Sequence, residues 1–209
     1  MTIKLAIFDF DGTLADSYAV FAEAVNVLAQ RHGFRQVQLH EQQVLRGMSA
    51  RDLLRELHLP PWKVPAVMTD FRTILQQRIH DVHPFPGVVE ALHALLDKRM
   101  PLALATSNTL QNVTTVLGDT LISRFATVEC GTSLFGKSHR LRRILKHTRM
   151  ISAEAIYVGD EIRDAEAAND AGIMFGAVAW GYTTPEALLR TRPERLFRMP
   201  ADMLELGRG

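Results

Sequence analysis

The sequence predicts an α/β fold, in which helices flank a parallel sheet and a small all-helical segment follows the first strand. Two observations carry this prediction. From residue 88 to residue 179, short apolar runs alternate with stretches of helical periodicity, the pattern of βαβ units. Residues 17–82 instead show helical periodicity throughout, which interrupts the alternation directly after the first apolar run.

The expected elements follow in order along the chain. Residues 3–10 are mainly apolar and predict a strand buried on both faces. Helices are expected next, because apolar residues such as Val20 and Ala24 recur at helical spacing. Pro60-Pro61 ends one of these helices, since proline lacks the N–H that a helix interior requires. Pro84-Phe85-Pro86-Gly87 marks a linker.

Behind that linker, strands and helices alternate. The predicted strands are Leu102–Ala105, Phe125–Val128, Ala155–Val158 and Phe175–Ala179, and the predicted helices are 88–96, 113–117, 141–145 and 164–171. Because the helical block has no place in this alternation, we interpret it as an insertion after the first strand. Two domains are therefore expected: a core of residues 1–15 and 84–209, and a helical cap of residues 16–83.

The composition is that of an ordinary globular protein. The chain has 209 residues, of which 47% are hydrophobic, and a formal net charge of +1. This charge gives no reason to expect a nucleic-acid partner. The single cysteine, Cys130, excludes an internal disulfide. No apolar run approaches the roughly 20 residues of a membrane span, so we expect a cytoplasmic protein, monomeric or homodimeric, without a membrane partner.

Asp9 and Asp11 stand directly behind the apolar run Ile3–Phe8, at the carboxyl end of the first predicted strand. Open α/β sheets bind ligands at this edge. With one residue between them, both carboxylates lie on the same side if the backbone stays extended. Like charges this close repel, and a divalent cation such as Mg²⁺, which prefers oxygen ligands, would relieve the repulsion. Gly12 then lets the chain turn tightly.

Three further polar groups follow predicted strands or lie in neighbouring loops: Thr106-Ser107-Asn108, Lys137, and Asp160-Glu161 with Asp164. Because parallel strands end at one edge of a sheet, these groups can converge. Carboxylates, a lysine and hydroxyls suit a phosphate held beside a metal ion. Asp9 and Asp11 have the right types for attack on phosphorus and for proton transfer to and from the alcohol and water.

Each group also has a simpler interpretation. Asp-x-Asp-Gly can be an acidic turn, but paired acids behind a doubly buried strand are costly without a cation. A calcium loop does not fit, because Thr13 stands where a third acid or amide belongs. Taken alone, Thr106-Ser107-Asn108 is better explained as an N-cap cluster. The alternative for Asp164 is a first-turn helix acid, and that for Lys137 is one of many solvated surface cations.

As a set, however, the groups resemble the four motifs of the haloacid dehalogenase superfamily. The matching residues appear in the expected order over nearly the whole chain: Asp9-Phe10-Asp11-Gly12-Thr13-Leu14, Thr106, Lys137, and Gly159-Asp160 with Asp164. The resemblance implies a Rossmann-like core. A helical cap between the first two motifs is similar to that of the subgroup containing phosphoglycolate phosphatase and β-phosphoglucomutase.

The resemblance also implies catalytic and metal-binding roles. Asp9 would be the nucleophile and a Mg²⁺ ligand, and Asp11 would be the acid–base and bind the ion through its main-chain carbonyl. Lys137 would bridge Asp9 and the phosphate. Asp160 and Asp164 would complete the metal site, with Asp164 orienting Asp160, Lys137 or a metal-bound water.

For substrate binding, the resemblance implies that Thr106 holds a phosphoryl oxygen, assisted by Ser107 and Asn108. Arg46 lies in the stretch that selects substrate in relatives, and it is a candidate substrate-binding residue. That stretch does not match the phosphoglycolate enzymes, so it leaves the substrate open. Glu161 stands where relatives carry small residues, and it would either support the metal site or face solvent.

The sequence therefore predicts a Mg²⁺-dependent phosphatase that acts on a small phosphorylated metabolite, such as phosphoglycolate or a sugar phosphate, through an aspartyl-phosphate. A sugar-phosphate mutase would use nearly the same residues and remains an alternative. A dehalogenase ranks lower, because it lacks the second acid that Asp11 provides. A phospho-receiver module also ranks lower, because it has no place for the helical insertion.

Overall fold

The structure is a computed structural model that describes residues 2–48, 50–131 and 136–207. Its strands are β1 (Leu5–Phe8), β2 (Ala15–Asp16), β3 (His83–Pro84), β4 (Leu102–Thr106), β5 (Thr127–Cys130), β6 (Ala155–Gly159), β7 (Met174–Val178) and β8 (Arg195–Phe197). Its α-helices are α1 (Tyr18–His32), α2 (Gln42–Leu45), α3 (Ala50–Glu56), α4 (Val64–Gln77), α5 (Val88–Asp97), α6 (Leu110–Leu117), α7 (Asp119–Ile122), α8 (Lys137–Thr148), α9 (Ile162–Ala171) and α10 (Pro185–Leu189). Short 3₁₀ helices span Leu39–Glu41, Pro61–Lys63, Ile79–Asp81, Ser152–Glu154 and Pro200–Gly207.

Among the described residues, six strands form a parallel sheet in the order β5-β4-β1-β6-β7-β8. All four residues of β1 are buried, as expected for a strand covered on both faces. Phe8 belongs to the apolar layer that includes α5 and α6, and Ile7 to the layer that includes α8 and α9. The predicted α/β fold is confirmed, and its sheet brings the ends of β1, β4 and β6 to one edge.

Several predicted bounds differ from the observed ones. The first strand is shorter than residues 3–10, because it begins only at Leu5 and the chain turns after Asp9. The strand expected at Phe125–Val128 begins two residues later, since Phe125 still belongs to the turn after α7. Strand β8, which pairs with β7 at the sheet edge, has no strong apolar pattern and was not predicted.

Helices α1 to α4 lie between the first and second strands of the main sheet, where the sequence predicts helices. Residues of α1, α3 and α4 and of their connections form a small apolar cluster that includes Leu28, Leu57 and Val67. The chain enters this helical segment through β2 and leaves it through β3, and these two strands pair antiparallel. No helix within the described ranges is long and apolar enough to span a membrane.

Candidate active site

The first turn after β1 places Asp9 and Asp11 at the carboxyl edge of the sheet. The Asp9 N–H donates to the carbonyl of Val158, which continues the pairing of β1 with β6 for one residue. Gly12 then adopts φ +76°, a left-handed conformation that glycine tolerates. A Cβ atom at position 12 would overlap the carboxylate of Asp160, so this turn needs glycine for space as well as for conformation.

Three buried carboxylates meet at this edge. Asp9, Asp160 and Asp164 each place an oxygen within 4.8 Å of the others. Asp160 follows β6, the neighbour of β1, and Asp164 lies in the first turn of α9. An all-oxygen set of this kind is chemically suited to Mg²⁺, so the residues fit a metal site.

Lys137 is the only ammonium group that the described residues bring into this cluster. It donates to Asp9 Oδ2 at 2.7 Å and also to Asp164 Oδ1. The expectation that Lys137 lies in a loop is wrong, because it is the first residue of α8, directly after Gly136 at φ +95°. The helix start directs the side chain inward, where only 6% of it is exposed.

Burial changes the acidity of these groups. It raises the pKa of Asp9 from 3.8 to about 7, although the Lys137 ammonium opposes the rise. Burial also raises the pKa of Asp11, and it raises that of Asp160 well above its ordinary value. For Lys137, burial acts to lower the pKa, but the carboxylates of Asp164 and Asp9 outweigh it and raise the pKa. When these acids are ionised, the cluster carries more negative charge than Lys137 compensates, and a cation would relieve it.

Asp164 connects this cluster to the start of α9. Its Oδ2 accepts hydrogen bonds from the backbone N–H groups of Asp160 and Glu161, at 3.1 and 3.0 Å. Its Oδ1 accepts from Lys137. Glu161 itself points to Arg163, which donates to it at 3.0 Å, so Glu161 pairs with a neighbouring cation and is partly buried.

The carboxylate of Asp11 is held by two side chains. Ser17 Oγ donates to Asp11 Oδ1 at 2.9 Å, and Asn108 Nδ2 donates to Asp11 Oδ2 at 3.1 Å. Asn108 is oriented in turn by Asn112, which donates to Asn108 Oδ1 at 2.7 Å. Donors on both oxygens fix the plane of this carboxylate.

The loop after β4 brings the second predicted group to the same edge. Thr106 ends β4 and is fully buried, and its Oγ1 accepts from the N–H of Asn108 at 2.9 Å. Thr109, and not the predicted triplet, caps α6, because its side chain accepts from Asn112 N. Ser107 and Asn108 line a cleft beside Asp11.

A profile of the haloacid dehalogenase-like hydrolases matches residues 6–178. The chain belongs to this family. It is 32% identical to a phosphoglycolate phosphatase of Synechococcus elongatus, over 97% of this chain and 96% of that protein. It is 30% identical to a phosphoglycolate phosphatase of Agrobacterium fabrum, over 86% of this chain and 82% of that protein. These findings identify it as a phosphatase.

Solved structures of haloacid dehalogenase-like proteins share the fold. A family hydrolase from Streptococcus pneumoniae has a TM-score of 0.78 at 20% identity and covers 97% of each chain. CbbY from Rhodobacter sphaeroides, crystallised with phosphate, has a TM-score of 0.74 at 20% identity and covers 97% of this chain and 96% of its own. Identities this low show the fold alone.

The loop after β7 also contributes to the site of this haloacid dehalogenase-like hydrolase, although the sequence did not predict its contribution. The N–H of Tyr182 donates to Asp160 Oδ2 at 2.8 Å, while Thr13 donates to Asp160 Oδ1 at 2.8 Å. Gly181 lies so close that a Cβ atom there would overlap Asp160. The predicted last strand gave the position of this loop, but not its hydrogen bonds to Asp160.

The structure places Arg46 of the phosphatase against the same loop. Arg46 Nε donates to the carbonyl of Tyr182 at 2.8 Å, and its Nη2 donates to the carbonyl of Gly181. Its guanidinium carbon also lies 5.0 Å from the centre of the Tyr18 ring. Substrate binding by Arg46 stays a prediction, since its donors face protein carbonyls in this structure.

A small cleft lies between the helical segment and the sheet edge of the phosphatase. Its volume is about 60 Å³. From α4 it is lined by Phe71, Arg72 and Gln76, and from the sheet side by Asp11 and Asn108. A group that reacts at the sheet edge would therefore extend between these two walls.

Proposed function

We propose that this phosphatase hydrolyses small phosphomonoesters with Mg²⁺ bound, through an aspartyl-phosphate at Asp9. One observation supports it above all: the buried Asp9 carboxylate meets those of Asp160 and Asp164 within 4.8 Å and Lys137 at 2.7 Å. Buried acids this close require compensating charge. The ammonium supplies part of it, and a bound cation would supply the rest.

The residues proposed to hold Mg²⁺ are Asp9, Asp160, Asp164 and the main-chain carbonyl of Asp11. When bound, the cation would neutralise phosphoryl oxygens and so favour attack on phosphorus. Asp164 also accepts hydrogen bonds from Lys137 and from two N–H groups of the turn after β6, so it would orient these groups as well.

The chain's own groups account for the proton and phosphoryl transfers. Asp9 attacks phosphorus while the bond from phosphorus to the alcohol oxygen breaks, and Asp11 gives its proton to that oxygen. Asp11 then takes a proton from water, the water oxygen attacks phosphorus, and Asp9 is released as inorganic phosphate leaves. Thr106, Ser107 and Lys137 would hold the phosphoryl oxygens.

We also propose that residues 1–15 and 84–209 form the core domain and residues 16–83 a helical cap. The apolar cluster shared by the helices of the segment supports this division. Closure of such a cap would exclude bulk water from the phosphoryl group.

For the substrate, we propose a small ester whose alcohol carries a carboxylate, as in phosphoglycolate. The cleft of about 60 Å³ admits only a small group, and the guanidinium of Arg72 in its wall places positive charge beside it, which favours an anion. The names of the two relatives given above agree with this choice. A sugar phosphate is the competing substrate, and its neutral hydroxyls would have no need of Arg72.

The test measures phosphate release from 2-phosphoglycolate, ethyl phosphate and a panel of sugar phosphates, with Mg²⁺ or with chelator. We expect 2-phosphoglycolate to be preferred and chelator to abolish release. Arg72→Gln should raise KM for 2-phosphoglycolate about tenfold and leave ethyl phosphate unchanged. Arg55→Gln is the control, since that side chain is 74% exposed and pairs with Asp52 at the surface of the helical segment. Activity that persists in chelator, or isomer interconversion without phosphate release, would contradict the proposal.

A further inference from the structure

We propose that Tyr182 is a positioning residue for the carboxylate of Asp11, and that Arg46 holds Tyr182 in place from the helical segment. The inference rests on the proposed acid–base role of Asp11. Neither the hydroxyl of Tyr182 nor the hydrogen bonds from Arg46 to the loop after β7 have an assigned part in the reaction.

The hydrogen bonds from Tyr182 to Asp11 form a chain of two steps with defined donors. Ser17 Oγ donates its single proton to Asp11 Oδ1 at 2.9 Å. The hydroxyl of Tyr182 lies 2.7 Å from Ser17 Oγ. When Asp11 is ionised, the Ser17 proton is given to its carboxylate, so the Tyr182 hydroxyl is the donor in this second bond. Linked hydrogen bonds polarise one another, so the hydrogen bond from Tyr182 strengthens the hydrogen bond from Ser17 to Asp11.

This chain supports one oxygen of the carboxylate, and Asn108 supports the other at 3.1 Å. A general acid must present its proton toward the leaving oxygen, which makes the plane of Asp11 a determinant of rate. Ser17 is 1% exposed, so water cannot replace a lost Tyr182 hydroxyl without rearrangement. Removal of that hydroxyl should therefore loosen Asp11 selectively.

Tyr182 is itself fixed by contacts on both of its backbone groups. Its N–H donates to Asp160 Oδ2 at 2.8 Å, and its carbonyl accepts from Arg46 Nε at 2.8 Å. Arg46 also donates to the carbonyl of Gly181, and its own carbonyl accepts from the N–H of Thr184 at 3.2 Å. Three bonds thus join one residue of the helical segment to the loop after β7.

The aromatic ring of Tyr18 also connects Arg46 to Tyr182. Tyr18 lies between Arg46 and Tyr182: its ring centre is 5.0 Å from the guanidinium carbon and 5.5 Å from the Tyr182 ring centre. A guanidinium over an aromatic face is held by the ring quadrupole. A shift of Arg46 away from the loop would therefore remove the support of the Tyr182 carbonyl and of the Tyr18 ring packed on Tyr182, and through Ser17 it would loosen Asp11.

The experiment compares two esters that differ in their need for an acid. 4-Nitrophenyl phosphate releases a stable phenolate without protonation, whereas an alkyl ester such as 2-phosphoglycolate releases an alkoxide that needs a proton. Tyr182→Phe should lower kcat for the alkyl ester about tenfold with unchanged KM, and lower it less than about twofold for the aryl ester. Tyr157→Phe is the matched control, because its buried hydroxyl contacts only the Ala105 carbonyl, at 3.4 Å, and the ratio of the two rates should not change.

A double-mutant cycle tests the part of Arg46. Arg46→Met should show the same selective loss in the wild-type background and a clearly smaller loss when Tyr182→Phe is already present. An increase in KM for both esters, with effects that add fully to Tyr182→Phe, would instead place Arg46 on the substrate and overturn its assigned role.

The wild-type rates distinguish failure of the proposed function from failure of the role assigned to Tyr182. A wild-type protein that does not hydrolyse alkyl esters with Mg²⁺ overturns both the function and this inference. A wild type that hydrolyses both esters, together with a folded Tyr182→Phe variant that slows both equally or neither, overturns the role of Tyr182 alone. Near-ultraviolet circular dichroism of each variant verifies that the side chains remain packed.

Discussion

The ammonium group of Lys137 lies 2.7 Å from a carboxylate oxygen of Asp9, although the two residues are 128 positions apart in the chain. Their side chains are 6% and 5% exposed, so water screens neither charge. Lys137 also pairs with Asp164, which is fully buried. One ammonium therefore compensates two buried carboxylates, and both the stability and the chemistry of this edge depend on it.

Removal of this ammonium should destabilise the fold. Lys137→Met leaves two buried carboxylates without their partner, and we expect the free energy of unfolding in chelator to fall by about 3 kcal/mol. Phosphatase activity should be lost as well. Lys4→Met is the control, because it breaks an exposed pair, with side chains 55% and 27% exposed, and should change unfolding by less than about 1 kcal/mol. Urea titrations give both values, and equal effects would contradict the assigned importance of burial.

Asp9→Asn should remove turnover without unfolding the protein. An amide cannot form the acyl phosphate, so kcat should fall roughly 10³-fold or more, and no phosphoprotein should appear after rapid acid quench. Thermal stability in chelator should stay the same or rise, since the variant no longer buries a carboxylate at this position. Asp97→Asn, at an exposed position in an ion pair with Arg124, should leave turnover unchanged. Residual turnover within tenfold of the wild type would refute Asp9 as nucleophile.

The raised pKa of Asp9 predicts how stability without metal depends on pH. Its pKa is about 7 in the folded protein against 3.8 ordinarily, so the folded state binds the proton more tightly. The associated stability is complete below about pH 4 and is lost as pH rises through 7. The pKa values of Asp11 and Asp160 are raised as well, which acts in the same direction.

In chelator, therefore, Tm should fall between about pH 5 and pH 8, and the rise in Tm on adding Mg²⁺ should grow over the same interval. Differential scanning calorimetry at several pH values measures both. The Asp9→Asn variant should show a weaker dependence, because one of the responsible groups is absent. A Tm in chelator that stays level or increases across this interval would contradict the direction of the shift.

Gly181→Ala should lower the affinity for Mg²⁺, whereas a glycine-to-alanine change away from the site should lower only the stability of the fold. A Cβ atom at position 181 would overlap both the Asp160 side chain and the carbonyl of Gly12. Displacement of Asp160 should lower the apparent Mg²⁺ affinity about tenfold or more, as measured from the metal dependence of activity. Gly33→Ala is the comparison: Gly33 has φ +69° with only the Lys63 tip nearby, so it should cost about 1 kcal/mol of stability and no metal affinity. Equal Mg²⁺ affinities in the two variants would refute the overlap argument.

The sequence was sufficient for the parallel sheet and for the predicted convergence of Asp9, Thr106 and Asp160, because strand ends in a parallel sheet share an edge. It was not sufficient for the supports of those groups. Ser17 precedes a helix and has the pattern of an N-cap, and Tyr182 follows a strand and has the pattern of a packing residue. Their hydrogen bond joins positions 165 residues apart, which no local periodicity encodes.

The contacts of the helical segment also join residues that are far apart in the chain, so local patterns do not predict them. Apolar spacing predicted its helices, whereas the contacts of Arg46 with the loop after β7 depend on how the segment lies over the sheet. Lys137 shows the intermediate case. Its motif identified the residue, but glycine before it suggested a loop, and the structure instead begins α8 there.

The antiparallel pairing of Ala15–Asp16 with His83–Pro84 puts the two crossing points of the chain side by side. Because its two ends are adjacent, the helical segment can change in length or sequence with little change in the entropy of closing the chain between them. A graft of another helical insert at these positions should therefore leave the carboxylates and the ammonium of the sheet edge in place. Exchange of this segment would therefore change which ester is bound without changing the residues that act on phosphorus.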